Sequence, residues 1–361
     1  MKNIVAFFIC CWFAVAQDSE FLIHHTFEAG LSGWDTPNGA RVRTAASEGQ
    51  HSLVFDYDLS SGNLSFLGLE TKKGIPGFAR MRFRVKVDYD TSLIVGITEP
   101  KPALGRSAFV SVRGGVWEQF DLKLSDFGPS DNPADPLDVG LPVDLDRVQG
   151  FGISDVAYTF RNPANSMASL FGIEAPSGKH TLLLQDFQVL KGTAEPTKIG
   201  SVTVDRFDRG MLQWILFGKG HFTLMESSPL NEPAVEVVAK TEHMGQPVAL
   251  YRRMTNFGLD GTDGIEFDVA SADPSAIVVS LGVRTPEGMR NDLGTTPIPV
   301  IGGRTPAHIK LPYERFAAGK EIRIIPSAIV TLTIARVGLK AGENAFWIGN
   351  VQAFQNPPVK R

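Results

Sequence analysis

The side chains that could do chemistry in this chain are few and scattered. Seven histidines are spread over 361 residues. His24 and His25 are adjacent, so on a strand their rings point to opposite faces, and neither has a partner at metal-ligand spacing. Carboxylates cluster once, in DNPADPLD (131–138), where Asp131, Asp135 and Asp138 would be the candidates for the acid and base of a glycosidase. Pro133 and Pro136 interrupt regular structure there, so a solvated or cation-binding loop is the plainer reading. No H-E-x-x-H, G-x-S-x-G or phosphate-binding loop occurs, and GISDV (152–156) and GGRTP (302–306) lack the context such motifs need. No residue is nominated as catalytic, and the chain is expected not to be an enzyme.

Composition narrows the partners. Apolar residues make up 43% and charged residues 20%, with a formal net charge of −4. Charges of both signs are interspersed, so no basic field is present to gather nucleic acid. At the N-terminus, Met1-Lys2-Asn3 precedes an apolar run from Ile4 to Val15 and a small-x-small site at Ala14-Val15-Ala16. This reads as a signal peptide over 1–16, because the run falls short of the ~20 residues a transmembrane span requires. The expected location is secreted, periplasmic or cell-surface. Both cysteines, Cys10 and Cys11, lie inside that segment, so the mature chain is expected to carry no disulfide and no thiolate metal site. Asn63-Leu64-Ser65 matches a glycosylation acceptor, which short motifs do by chance.

The elements that must position any site read as strands. With 36 Gly and 23 Pro, turns punctuate short alternating runs: SLVFDYDL (52–59), ARMRFRVKVD (79–88), SLIVGIT (92–98), WEQFDLKL (117–124) and TLLLQDFQVL (181–190). In the second of these, Met81, Phe83, Val85 and Val87 share one face while Arg80, Arg82, Arg84 and Lys86 share the other. The same plan then repeats. VTVDRFDRGMLQW (202–214) answers IHHTFEAGLSGW (23–34), with Phe207 and Trp214 each 180 residues after Phe27 and Trp34. DGIEFDVASAD (263–273), AIVVSLGV (276–283), IKLPYERF (309–316), LTIARVGLK (332–340) and NAFWIGNVQAF (344–354) answer ARMRFRVKVD, SLIVGIT, FDLKLSDF (120–127), VQGFGISDV (148–156) and TLLLQDFQVL. A duplicated unit is the economical explanation. The expected architecture is all-β, with two tandem jelly-roll sandwiches at 21–192 and 200–355, a linker at 193–199 and a disordered tail at 356–361.

FEAGLSGW (27–34), MRFRV (81–85), WEQFDLKLSDF (117–127) and LLQDFQVL (183–190) together resemble galactose-binding-like jelly rolls of the family 11 carbohydrate-binding module and complex I intermediate-associated type. The resemblance covers nearly all of 21–192 and, more weakly, 200–355. The second copy lacks a match for Trp117, and Asn350 replaces the acid of the last strand. The resemblance implies a structural calcium between the first and last strands, held by Glu28 and Asp186 in the first copy and by Asp208, with Asn350 opposite, in the second. It also implies a secreted, non-catalytic carbohydrate-binding protein with two weak sites in tandem, their effective concentration raised by linkage. Its ligand would be a glycan or polysaccharide. In such folds aromatic rings stack on sugars, so the candidates are Tyr57 (core or rim), Tyr89, Tyr158 and Tyr251, with Arg82 and Arg84 beside them. Trp34, Trp117 and Trp214 are expected to pack in cores. The alternative from another class is a structural or adhesion protein of the cell envelope that uses its sandwiches to contact other proteins.

Overall fold

The structure is a computed structural model that describes residues 21–36, 40–47, 49–61, 66–99, 106–128, 143–157, 177–193, 202–242, 245, 247–254, 259–285, 288–320 and 322–356. The signal segment, most of the linker, the 131–138 loop, Asn63-Leu64-Ser65 and the last five residues of the tail lie outside them. Period-2 alternation becomes antiparallel sheet throughout. In the first half the strands are β1 Phe21–His25, β2 Trp34–Asp35, β3 Arg41–Ser47, β4 Gln50–Asp58, β5 Phe66–Glu70 and β6 Phe78–Val87. They continue with β7 Thr91–Thr98, β8 Arg106–Val112, β9 Glu118–Lys123, β10 Gly150–Asp155 and β11 Lys179–Lys191. One sheet runs β3-β4-β11-β6-β9, with β1 also on β11, and the other runs β2-β5-β10-β7-β8.

The second half repeats this with β12 Val202–Asp205, β13 Trp214–Phe217, β14 Gly220–Met225, β15 Ala234–Thr241, β16 Val248–Arg253 and β17 Gly264–Ser271. Then come β18 Ser275–Thr285, β19 Gly288–Gly294, β20 Ile298–Val300, β21 Ala307–Pro312, β22 Ile329–Val337 and β23 Gly342–Phe354. Its sheets run β14-β15-β23-β17-β21 with β12 on β23, and β13-β16-β22-β18-β19 with β20 on β18. Each half is therefore a two-sheet sandwich. No helix among the described residues is long and apolar enough to cross a membrane.

The inward positions fill two cores. Leu53, Phe55, Met81, Phe83, Val85, Leu184 and Phe187 lie in the first, and Val237, Ile265, Phe267, Leu281, Phe346 and Ile348 in the second. Each fully buried large side chain contributes about 1.5–3 kcal/mol. The two strands that echo one another, β9 and β21, both end in a 3-10 turn that drops a buried phenylalanine, Phe127 or Phe316, into the core. Trp34 and Trp214 are buried as expected. Trp117 is half-buried beneath the Arg84 guanidinium, 5.3 Å from its ring.

Both last strands bulge at equivalent points. Asp186 and Asn350 have φ of 48° and 45°, and the ladder to β6 or β17 shifts register beside each. Short polar side chains tolerate this left-handed conformation better than other non-glycine residues. The polar residue shared by the two last strands thus has a backbone reason. Phe27 and Phe207, at φ 65° and 58°, repeat a second strained position in the first turn of each half.

The halves touch along a built junction. The stretch before β13 runs beside β8: Ser111 N–H donates to Met211 O at 3.2 Å and Gln213 N–H to Phe109 O at 2.7 Å. Leu212 enters the first core. Arg253, 1% exposed, donates to Ser107 Oγ at 2.7 Å and lies over the Phe109 ring. Phe109, Val156, Ile215, Phe217, Ala249 and Ala335 seal the contact.

Candidate functional site

Among the described residues, two of the expected ligand tyrosines meet on a buried carboxylate and a third lies at the junction. Tyr57 is 3% exposed and its hydroxyl donates to Asp155 Oδ2 at 2.7 Å, so it offers no ring face to a sugar. Of the two expected placements, core or rim, Tyr57 takes the core, on the same inward face as Leu53 and Phe55, and is corrected as a ligand candidate. Tyr89 bonds the same carboxylate, and its ring packs 4.3 Å from that of His180. Thr91 Oγ1 and the Ala157 N–H donate to the other oxygen of Asp155. Burial, followed by the neighbouring Asp155 charge, pushes both phenols well above their usual 10. Tyr251 lies at the junction, 5.1 Å from Phe217. Tyr158 lies outside the described residues. Arg82 and Arg84 stand on the outer face of the other sheet, Arg82 paired with Asp121 at 2.8 Å and Arg84 bonded to Gln50 and Gln185.

The expected calcium residues join no cluster of three or more His, Cys, Asp or Glu side chains among the described residues. Glu28 and Asp208 are exposed on the first turns. Asp186 faces donors, His24 Nε2 at 2.7 Å and Gln188 Nε2 at 2.8 Å, whereas Ca²⁺ takes roughly six to eight oxygens. Asn350 bonds Asp268 and Gln352. Among the described residues no group of three or more His, Cys, Asp or Glu side chains could hold a metal. A fixed cation does tie the second half together: buried Arg252 bonds Asp205 Oδ2 at 3.1 Å and Val204 O at 2.8 Å.

A different feature appears on the outer face of the sheet β2-β5-β10-β7-β8. Register aligns Gly68, Gly152 and Gly96 as one row across β5, β10 and β7. The row extends to Asp35 on β2 and to Ser107 on β8. The next row on one side is Glu70–Gly150–Thr98, and on the other Phe66–Ser154–Ile94. Three strands spaced about 4.8 Å apart thus share a row with no side chains of its own, roughly 10 Å long and bounded by side chains. Glycine inside a strand gives up packing and backbone order, and marks a place where something approaches the main chain closely.

Part of what approaches is Phe66. A Cβ at Gly152 would lie 2.1 Å from its ring, and one at Gly68 2.7 Å. The ring therefore rests on both glycines and remains half-buried. Beside it a cavity of about 440 Å³ is lined by Phe66, Gly68, Glu70, Thr71, Thr98 and Gln149 among others. Glu70, Thr98 and Gln149 are exposed at its rim, and among the described residues its lining contains no lysine or arginine. An aromatic plate on an open floor, edged by acceptors and an amide, suits a ligand with an apolar face and many hydroxyls. The sequence reading passed over this site, although FLG (66–68), VGIT (95–98) and GFG (150–152) each place glycine inside a strand pattern.

The second sandwich fills the same row. Its equivalents, by register, are Ile215–Tyr251–Thr333–Ser280. No bare floor remains, and Ile215, Tyr251 and Ala335 are turned to the junction.

No protein-family model matches the chain, and no curated protein matches it. Among solved structures it is similar to a family 11 carbohydrate-binding module from Clostridium thermocellum in complex with a β-1,3-1,4-mixed-linked tetrasaccharide. That likeness has 14% identity over 48% of this chain and 95% of that one, with a TM-score of 0.33. A tandem CBM22 pair from Paenibacillus barcinonensis Xyn10C is 13% identical over 95% of this chain and 99% of that one, with a TM-score of 0.32.

Proposed function

We propose that this is an exported glycan-binding protein that holds a neutral saccharide in the glycine-floored groove of its first sandwich. The observation that carries the reading is the row Gly68–Gly152–Gly96 under the Phe66 ring. It seats one half-buried aromatic ring directly on the backbone of a sheet otherwise covered by side chains. Asp35 and Glu70 accept hydrogen bonds from hydroxyls and repel uronates and sulfates, so the ligand class is neutral. Because Tyr251 closes the equivalent row of the second sandwich, the tandem contains one groove of this kind. The second sandwich acts as its buttress.

The test is a glycan array and insoluble-polysaccharide pull-down with the wild type, Phe66→Ala and Gly152→Val. The wild type should bind at least one neutral glycan. Phe66→Ala should weaken that binding about tenfold or more, from lost ring contact, with little change in melting. Capture of no glycan, or binding indifferent to both substitutions, would remove the groove from the function and favour the adhesion reading.

A further inference from the structure

The cleft between the sandwiches holds a second cavity, of about 170 Å³, separate from the groove. At about 30 Å³ per water it has room for five or six waters, or one small ring. It lies at the opposite end of β7: Ser92 is four residues from Gly96, about 13 Å along the strand. Its walls divide by chemistry. Val156 from the first sandwich and Ile215, Leu216 and Phe222 from the second are apolar. Tyr89, Asp90, Thr91, Ser92 and Ser111 form the polar side, all from the first.

Every hydroxyl proton on that polar side is already committed. Tyr89 and Thr91 donate to Asp155. Ser111 donates to Trp214 O at 2.6 Å, so the 2.5 Å contact between Ser92 and Ser111 has Ser92 as donor. Asp90 brings a carboxylate, fixed by the Gly114 N–H to one oxygen at 2.7 Å. That side therefore offers lone pairs and one negative charge, and His221 from the second sandwich adds an imidazole at the entrance. Only a ligand that brings its own donors pairs with such a wall. An anion is repelled, and an apolar molecule leaves the acceptors unpaired.

We propose that this inter-sandwich cavity binds a single neutral sugar ring or similar cyclic polyol. Its C–H face lies on Ile215, Leu216 and Phe222, and its hydroxyls donate to Asp90 and Ser92. Exposed His221, on β14, flanks the entrance from the second sandwich. Because both sandwiches line it, the ligand fastens one to the other. This site stands independently of the groove.

The probes are glucose, galactose and glucosamine, titrated into the full chain and followed by ligand-observed NMR and calorimetry. The wild type and Phe66→Ala should both bind a neutral hexose saturably at millimolar concentration. Asp90→Asn, which keeps the oxygen that accepts from Gly114, should weaken that binding about tenfold, and Ser92→Leu should abolish it by filling the space. Melting curves of all variants establish that they are folded. Any of three outcomes would overturn the proposal: no saturable binding by any hexose, binding by glucosamine alone, or binding lost in Phe66→Ala but unchanged in Asp90→Asn.

Discussion

The two sandwiches place the same strands in the same order and put opposite things on one face. In the first, the row running from Asp35 to Ser107 is floored by glycine. In the second, the row from Ile215 to Ser280 contains Tyr251 and Thr333. A duplicated frame needs only one open face once the other is used for support. The joint between the first strand and the second sheet differs too. The Trp34 indole donates to His25 Nδ1 at 3.1 Å, whereas the Trp214 indole donates to Asp205, itself bonded to buried Arg252. One sandwich closes this joint with a neutral imidazole, whose pKa burial and then His24 lower. The other closes it with an ion pair.

That contrast breaks most sharply at the ion pair. Asp205→Asn leaves the Arg252 charge buried, and should cost the second sandwich about 3–5 kcal/mol. His25→Ala removes one neutral acceptor and should cost the first about 1–3 kcal/mol. Urea unfolding followed by tryptophan fluorescence measures both, and equal losses would erase the distinction. Alkali should reverse the order of weakness. The first sandwich buries Tyr57 and Tyr89 with pKa values raised well above 10, while in the second burial raises Tyr313 to about 12. A raised folded pKa means stability is intact below about pH 10 and is lost above it, as the unfolded chain ionises first. The first sandwich should therefore lose stability more steeply above pH 10, and Tyr57→Phe should flatten that limb.

Smaller effects test the groove's asymmetry and the metal residues. Tyr251→Ala should leave glycan binding within about twofold, set against the tenfold loss expected at Phe66, which parallel pull-downs would compare. Calcium or EDTA should shift the melting temperature by less than about 2 °C, since among the described residues no three His, Cys, Asp or Glu side chains gather. A rise of about 4 °C or more, equivalent to about 1–2 kcal/mol in a domain of this size, would return Glu28 and Asp186 to a metal site.

Much of the frame was legible because alternation is local. Met81, Phe83 and Val85 face inward as their spacing dictates, and Phe127 and Phe316 close their cores where the echoing strands end. The repeat was legible for the same reason, although register sets Gly152 opposite Thr333, so the echo of β10 begins a few residues earlier than LTIARVGLK suggests. The site was less legible. The resemblance puts Asp186 and Asn350 beside a calcium, and the left-handed bulge gives their polarity a backbone reason that alternation does not reveal. Tyr251 and Arg253 are buried by a contact between sheets about 100 residues or more apart in sequence, which no single strand's pattern encodes. The three glycines become one row only once register is known, since a shift of one residue would scatter them to both faces.

The outer edges of the two equivalent sheets also differ. β8 offers its edge to the stretch before β13, while the matching edge strand β19 carries Arg290 and Asp292, paired at 2.8 Å, with Lys320 bonded to Asp292 at 2.9 Å. Charged edges of this kind resist further strand addition.

The groove is tested most directly by following backbone amide resonances while the best-bound neutral oligosaccharide is titrated in. Gly68, Gly96 and Gly152 should shift first and saturate together, with the Tyr251 and Thr333 amides unmoved. If the glycine amides stay still while another surface titrates, the open row is not where this protein meets its ligand.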